Sequence, residues 1–266
     1  MLRELTLLAV LGAASPDTPE PPKPQAAPAD TPAPETTADQ AEAAPAEPVP
    51  AWPLPWNQGV TYRYTWYTNE PIGQSSFSLN WSEDRKTLLC KGAIDLRGVN
   101  PRLDGAFVSG FRPDLHPTFH AGTFRGAQAG AQGVGAGVVA KFGEKEVVVT
   151  FGFGPKAPEM KLAPPAQPYF LYGHQAIHHW ALFLTAVDTA KPSVVKVCMP
   201  DFLRFCDIAF TPEGAEELRG VTATRLAFDA GGLFRGKVWL DPRKRLLRFQ
   251  QKNETGFTDI WLIESE

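Results

Sequence analysis

The feature that most constrains this chain is an alternation of apolar and polar residues at period two, which recurs between Val60 and Ile263. Val60, Tyr62, Tyr64 and Trp66 share one side of a run whose other side is Thr61, Arg63 and Thr65. After the turn residues Asn69–Gly73, the pattern returns with Ser75, Phe77, Leu79 and Trp81 against Gln74, Ser76, Ser78 and Asn80. Successive side chains of a β-strand point to opposite faces, so each run is a strand with one buried face. A third strand is expected over residues 87–96, and further ones over 105–111, 118–124, 134–142 and 145–153. After Pro192 the series resumes over 193–199, 203–211, 221–230, 233–241, 245–250 and 258–263. Ala230-Gly231-Gly232 and Asp241-Pro242-Arg243 supply turn chemistry between them. Many short strands in regular succession predict an antiparallel sheet, sandwich or barrel rather than βαβ units.

One segment departs from period two. After Pro164, Pro165 and Pro168, the residues Tyr172, Ala176, Trp180, Phe183 and Val187 recur at helical spacing. They predict an amphipathic helix over residues 169–187 with an aromatic face. The expected fold is mainly β: a large antiparallel sheet with one mid-sequence helix packed on a face of it.

Composition divides the chain ahead of this domain. Leu5–Ala14 is an unbroken apolar run behind the short polar start Met1–Glu4, with small residues at its end. This is the pattern of an export signal, expected at residues 1–14, and the run is too short to span a bilayer as a helix. No cysteine follows that would support lipoprotein anchoring. Residues 15–55 hold 13 of the 26 prolines, and seven acidic side chains against Lys23 alone. Such a segment cannot bury enough apolar surface to offset its conformational entropy, and it reads as an extended, acidic linker. Residues 56–266 form the domain. They hold six of the seven tryptophans and every Phe and Tyr, and carry a small positive balance. That balance is too weak for nucleic acid to be the main partner. The one basic run, Arg243-Lys244-Arg245, reads as a solvated turn. The expected location is the periplasm or the extracellular space, with the N-terminal segment either removed or kept as a tether. No membrane span is expected after cleavage.

Catalytic chemistry is poorly represented. There is no G-x-S-x-G nucleophile elbow, and no Ser or Cys stands in a nucleophile context. Gly135, Gly137 and Ala140 match the spacing of a dinucleotide fingerprint, but a strand rather than a helix follows them, so no nucleotide is implied. Asp104 and Asp114 are acids of the kind that glycosidases pair, with nothing to place them together. His174 and His178 stand four apart, as zinc ligands on one helix face do, with His116 or His120 as a distant third. The metalloprotease base is absent, since Gln175 occupies its place. No cofactor is implied. Cys198 and Cys206 flank an expected hairpin, where a disulfide forms if the register brings their Cβ atoms together. The aromatic residues Tyr62, Tyr64, Trp66, Phe77 and Trp81 on the first hairpin, with Tyr172, Trp180 and Phe183 on the helix, are either plain core or the lining of an apolar pocket.

The order of elements resembles a group of uncharacterised exported bacterial domains related to the lipoprotein carrier LolA, LppX and the sensor RseB. The likeness is carried by Tyr62-Arg63-Tyr64, Pro71-Ile72-Gly73, a long meander and a Pro-rich loop into the His-rich segment Gly173–Asp188. It closes on Val238-Trp239-Leu240-Asp241-Pro242 and Arg245-Leu246-Leu247-Arg248. The resemblance implies a half-barrel, a strongly curved antiparallel sheet whose concave face is covered by helix and loops. The carriers have more helices than the one visible here. The function expected is that of a non-enzymatic envelope protein that holds a lipid or acyl chain on the concave face. An interaction or sensor module for another envelope protein is the alternative, and a metal-dependent enzyme using His174 and His178 a second.

Overall fold

In a computed structural model, the structure describes residues 54–99, 102–127, 136–152, 156–173, 176–253 and 256–265. The first half of the domain is a meander: β1 (Thr61–Tyr67), β2 (Pro71–Trp81), β3 (Leu88–Leu96), β4 (Arg102–Phe111), β5 (Pro117–Ala127), β6 (Ala136–Phe142), β7 (Val147–Phe151) and β8 (Glu159–Leu162). The short β9 (Phe170–Leu171) and the helix α1 (Ile177–Phe183), extended by a 3₁₀ turn at Leu184–Ala186, follow. A second meander closes the chain: β10 (Ser193–Met199), β11 (Arg204–Leu218), β12 (Val221–Asp229), β13 (Arg235–Leu240), β14 (Leu246–Asn253) and β15 (Gly256–Ser265).

All the strands belong to one 15-stranded sheet, in which β1 pairs with β15 and so joins the two meanders side by side. Every pairing is antiparallel except that of β9 with β10. The sheet is open, with β8 and β9 at its two edges. Aromatic and aliphatic residues from one face of β1–β4 and β10–β15 converge on α1 in a single core. The helix therefore fills the concave side of a curved sheet, as a mainly β architecture with one mid-sequence helix requires.

The sheet also rolls past itself. Val138, Ala140, Val147 and Val149 continue the concave face through β6 and β7. They form a second core with Cys198 and Phe205, which lie on the opposite, convex face of β10 and β11. One end of the sheet thus covers the back of the other.

Three expectations change. The helix is shorter than residues 169–187, because Phe170 and Leu171 pair with Val197 and Cys198 as a parallel strand. Tyr172 is held there too, its backbone N–H donating to the Cys198 carbonyl at 2.9 Å. Cys198 and Cys206 do not bridge. Cys198 lies opposite Phe205 and Cys206 opposite Val197, so a one-residue offset sends the two thiols to opposite faces of the hairpin. A reducing agent is accordingly expected to leave the thermal unfolding midpoint unchanged, and a fall in the midpoint on adding dithiothreitol would contradict this register. The basic run is a turn with Arg243 exposed, but it is not simply solvated. Lys244 donates to the carbonyls of Thr185 (3.3 Å) and Val187 (2.9 Å), and Arg243 to that of Pro55 (2.9 Å). A cation on the last carbonyls of a helical segment satisfies orphan acceptors and complements its dipole. The Trp56 indole reinforces the same end by donating to the Ala181 carbonyl at 3.3 Å.

Candidate functional site

Pairing register turns the concave face into rows of side chains that run across the strands. One row is Tyr62, Phe77, Gly92, Phe107 and Gly122; the next is Leu79, Cys90, Ser109, His120 and Ala140. Gly92 leaves a slot between aromatic rings that α1 fills with His178, while the space at Gly122 is taken by Phe107 and His120. His178 sits 5.3 Å from Phe107 and 6.4 Å from Phe77, ring centre to ring centre. A Cβ added at Gly92 would meet the His178 ring at 2.9 Å, so the slot exists because residue 92 has no side chain.

His179 reaches the neighbouring row, where hydrogen bonds fix its tautomer. Its Nδ1 accepts the Gly173 backbone N–H at 2.8 Å. A neutral imidazole that accepts on one nitrogen donates from the other. The Nε2–H therefore points at Ser109 Oγ, 3.0 Å away. The Ser109 hydroxyl then donates to His120 Nδ1 at 2.9 Å. The chain runs in one direction, from Gly173 through His179 and Ser109 to His120, with all its members neutral. Burial holds the three imidazoles below their usual proton affinity: His120 down to about 4, His178 to about 3 and His179 well below its ordinary range, with mutual repulsion as the lesser cause for the last two. His178 Nε2 is buried without a hydrogen-bond partner. Burial likewise pushes the Cys90 thiol, next to Ser109 in its row, far up.

Among the described residues this cluster is not arranged as a metal centre. His174 lies outside the described residues, His178 is wedged between phenyl rings, and His116 packs edge-on against Tyr169 on another part of the surface. Among the described residues no group of three His, Cys, Asp or Glu is arranged to hold a metal. Asp104 and Asp114 do not meet as a pair either: Asp104 stands opposite Asp95 across β3 and β4, and Asp114 is bound to Arg112.

The aromatic residues divide into two sets. Tyr62, Tyr64 and Phe77 are stacked in the core with Trp56, and the Tyr64 hydroxyl donates to the Leu246 carbonyl at 2.9 Å. Phe183 is fully enclosed between Phe170, Trp180 and Phe210, and Trp81 packs at the margin of the core. These line nothing. Trp66, Tyr172 and Trp180, by contrast, border a cavity of about 270 Å³ at the N-terminal end of α1. Ile72, Leu96, Ile177, Phe249 and Ile260 complete its apolar wall, while Thr68, Gln251 and Thr258 stand at its mouth. The Trp66 indole donates to Ser75 Oγ at 2.8 Å, which leaves its ring face to the cavity wall. Tyr172 stacks on Phe234 at 5.3 Å and accepts a hydrogen bond from the Trp180 indole; burial keeps its phenol protonated far beyond neutral pH. Reasoning from sequence reached the three aromatic walls but not the opposite side, Phe249 and Ile260, whose place depends on β15 returning to β1.

Among solved structures, the chain is similar to the beta-barrel-like protein of domain of unknown function DUF1849 from Brucella abortus. The TM-score is 0.54 at 10% identity, over 78% of this chain and 96% of that one. The likeness is one of fold: a barrel-like antiparallel sheet. No protein-family model matches the sequence, and no curated protein does.

Proposed function

We propose that the domain is a non-enzymatic binding protein of the cell envelope that takes a small hydrophobic ligand, such as the end of an acyl chain, into the cavity beside α1. The observation that carries this reading is the cavity itself. It is walled by apolar side chains, has a few polar groups at its mouth, and lies just under the 300–1,000 Å³ usual for small-molecule sites. A helix that fills most of the concave face but stops short at one end leaves room for a chain end or a single ring system, not for a whole lipid. The buried histidine–serine chain does not favour an enzyme: Ser109 is fully enclosed, and both its neighbours are neutral imidazoles tied to it. The N-terminal apolar run and the likeness to LolA-type half-barrels support placing the protein in the envelope.

The uncharged dye N-phenyl-1-naphthylamine brightens in apolar sites and serves as the probe. The wild-type domain is expected to bind it and to release it to medium-chain fatty acids. Val99, half-buried at the cavity rim, offers a place to block it. Val99→Trp is expected to weaken binding at least tenfold with little change in unfolding midpoint. Equal binding by Val99→Trp, or none by the wild type, would sink the reading.

A further inference from the structure

We infer that the histidine–serine chain is an acid-operated latch on the cavity: protonation frees the N-terminal end of α1 and releases the ligand. The inference rests on the cavity reading above and adds its regulation. Its basis is that one short segment carries both features. Tyr172, Ala176, Ile177 and Trp180 are cavity walls, and His178 and His179 lie among them in sequence. The C-terminal end of α1 is pinned from outside the network by Lys244 and Trp56. The N-terminal end has no side-chain cap. Among the described hydrogen bonds, those that tie α1's first turn across to β4 and β5 run from Gly173 through His179 and Ser109 to His120, while Tyr172 just ahead is held on β10.

That chain leaves no place for an added proton. His179 Nδ1 already accepts the Gly173 N–H, and His120 Nδ1 accepts the Ser109 hydroxyl, so a proton on either nitrogen sets donor against donor. His178 Nε2 has no hydrogen-bond partner, and the ring centre is 4.2 Å from that of His179. Among the described residues, the groups facing the cluster are Cys90 on β3, Ser109 on β4 and His120 on β5, all uncharged, with no carboxylate among them to offset an imidazolium. An isolated buried charge is costly, and the lower-energy response is for the helix end to leave its slot.

The sign follows from linkage. Imidazoles whose proton affinity is depressed in the closed form take up protons preferentially in the open form, whose histidines titrate near 6.5. The closed form therefore holds above about pH 6.5 and loses ground as the pH falls. The ratio of open to closed rises by up to about tenfold per pH unit for each histidine, or about a thousandfold for three. The loss levels off only below the closed-form values, about 4 for His120 and about 3 for His178.

The test is N-phenyl-1-naphthylamine binding between about pH 8 and pH 5, with amide hydrogen exchange followed in parallel on probe-free protein. The expected result is loss of binding below about pH 6.5, reversible on neutralisation, together with faster exchange over residues 176–183 while β12 and β13 stay protected. His178→Leu, which removes one titrating group that makes no hydrogen bond, is expected to keep binding at pH 8 and to make the pH dependence shallower by about tenfold per unit. Binding unchanged down to pH 5 would overturn the latch, as would loss of binding with α1 still protected, or exchange of sheet and helix together. Absence of probe binding at pH 8 would remove the ligand reading alone, since the exchange experiment reads the latch without it.

Discussion

Replacing Trp180 by alanine is expected to cost about 3–5 kcal/mol of unfolding free energy, read from urea denaturation followed by tyrosine and residual tryptophan signals. The indole is the centre of the concave core. Its ring lies 4.7 Å from Phe228, 4.8 Å from Phe249 and 4.9 Å from Phe183, with Tyr172, Phe210 and Phe234 in a second ring of contacts. Those partners come from β9–α1, β11, β12 and β14, so one side chain holds the helix to most of the second meander. Neighbouring phenyl rings are fixed by their own strands and cannot collapse into the space, which places the loss toward the upper end of large-to-alanine changes. A domain of ordinary stability has about 5–15 kcal/mol in all. The variant is therefore expected to unfold at markedly lower urea, and a loss under about 1.5 kcal/mol would mean that the helix is not the core of this sheet. Phe183→Leu keeps most of the volume at an equally buried site and is expected to cost less than half as much.

The contrast between Trp180 and the rest of its segment shows what the sequence made legible. Trp180 and Phe183 were readable as a buried helical face, because large aromatics at helical spacing have no other stable use. The helix start was not. Tyr169–Gly173 fits the same spacing, yet Phe170 and Leu171 find unpaired backbone on β10, and a parallel pairing of two residues outweighs an uncapped helical turn. The strands with clean alternation were visible, whereas β8, with Glu159, Met160 and Lys161 exposed, carries no buried face to read. The far end of β11 was hidden for another reason. Pro212 and Gly214 look like breakers, but a bulge there, with Gly214 at φ +106°, lets pairing with β12 continue on the other face. At the candidate site, the aromatic walls Trp66, Tyr172 and Trp180 were accessible to pattern reading. The slot at Gly92, and the partnership of Ser109 with His120 on the next strand and His179 on the helix, depend on register across the strands. A glycine in a strand signals a close approach without naming what approaches.

Ser109→Ala is expected to cost roughly 2–4 kcal/mol, far more than the loss of one buried oxygen atom suggests. The hydroxyl is at once the acceptor for His179 Nε2–H and the donor to His120 Nδ1. Its removal leaves one buried donor and one buried acceptor unsatisfied, each at about 1–3 kcal/mol. Cys90→Ala is the control. Cys90 is the direct neighbour of Ser109 across β3 and β4, equally buried, and its loss removes more volume but breaks no hydrogen bond that holds α1. If packing alone mattered, the cysteine variant would be the weaker protein; the structure predicts the reverse order, and urea midpoints measured above pH 7 decide it. The serine variant carries a second signature. With the Ser109 donor gone, His120 Nδ1 keeps a free lone pair and takes up a proton more readily in the folded form, so the acid loss of stability is expected to level off at higher pH and to be shallower than in the wild type. A stability loss in Ser109→Ala with an unshifted pH profile would reduce Ser109 to a packing residue. A loss with the shifted profile would tie the hydrogen-bond chain to the acid response through the one atom that both histidines share.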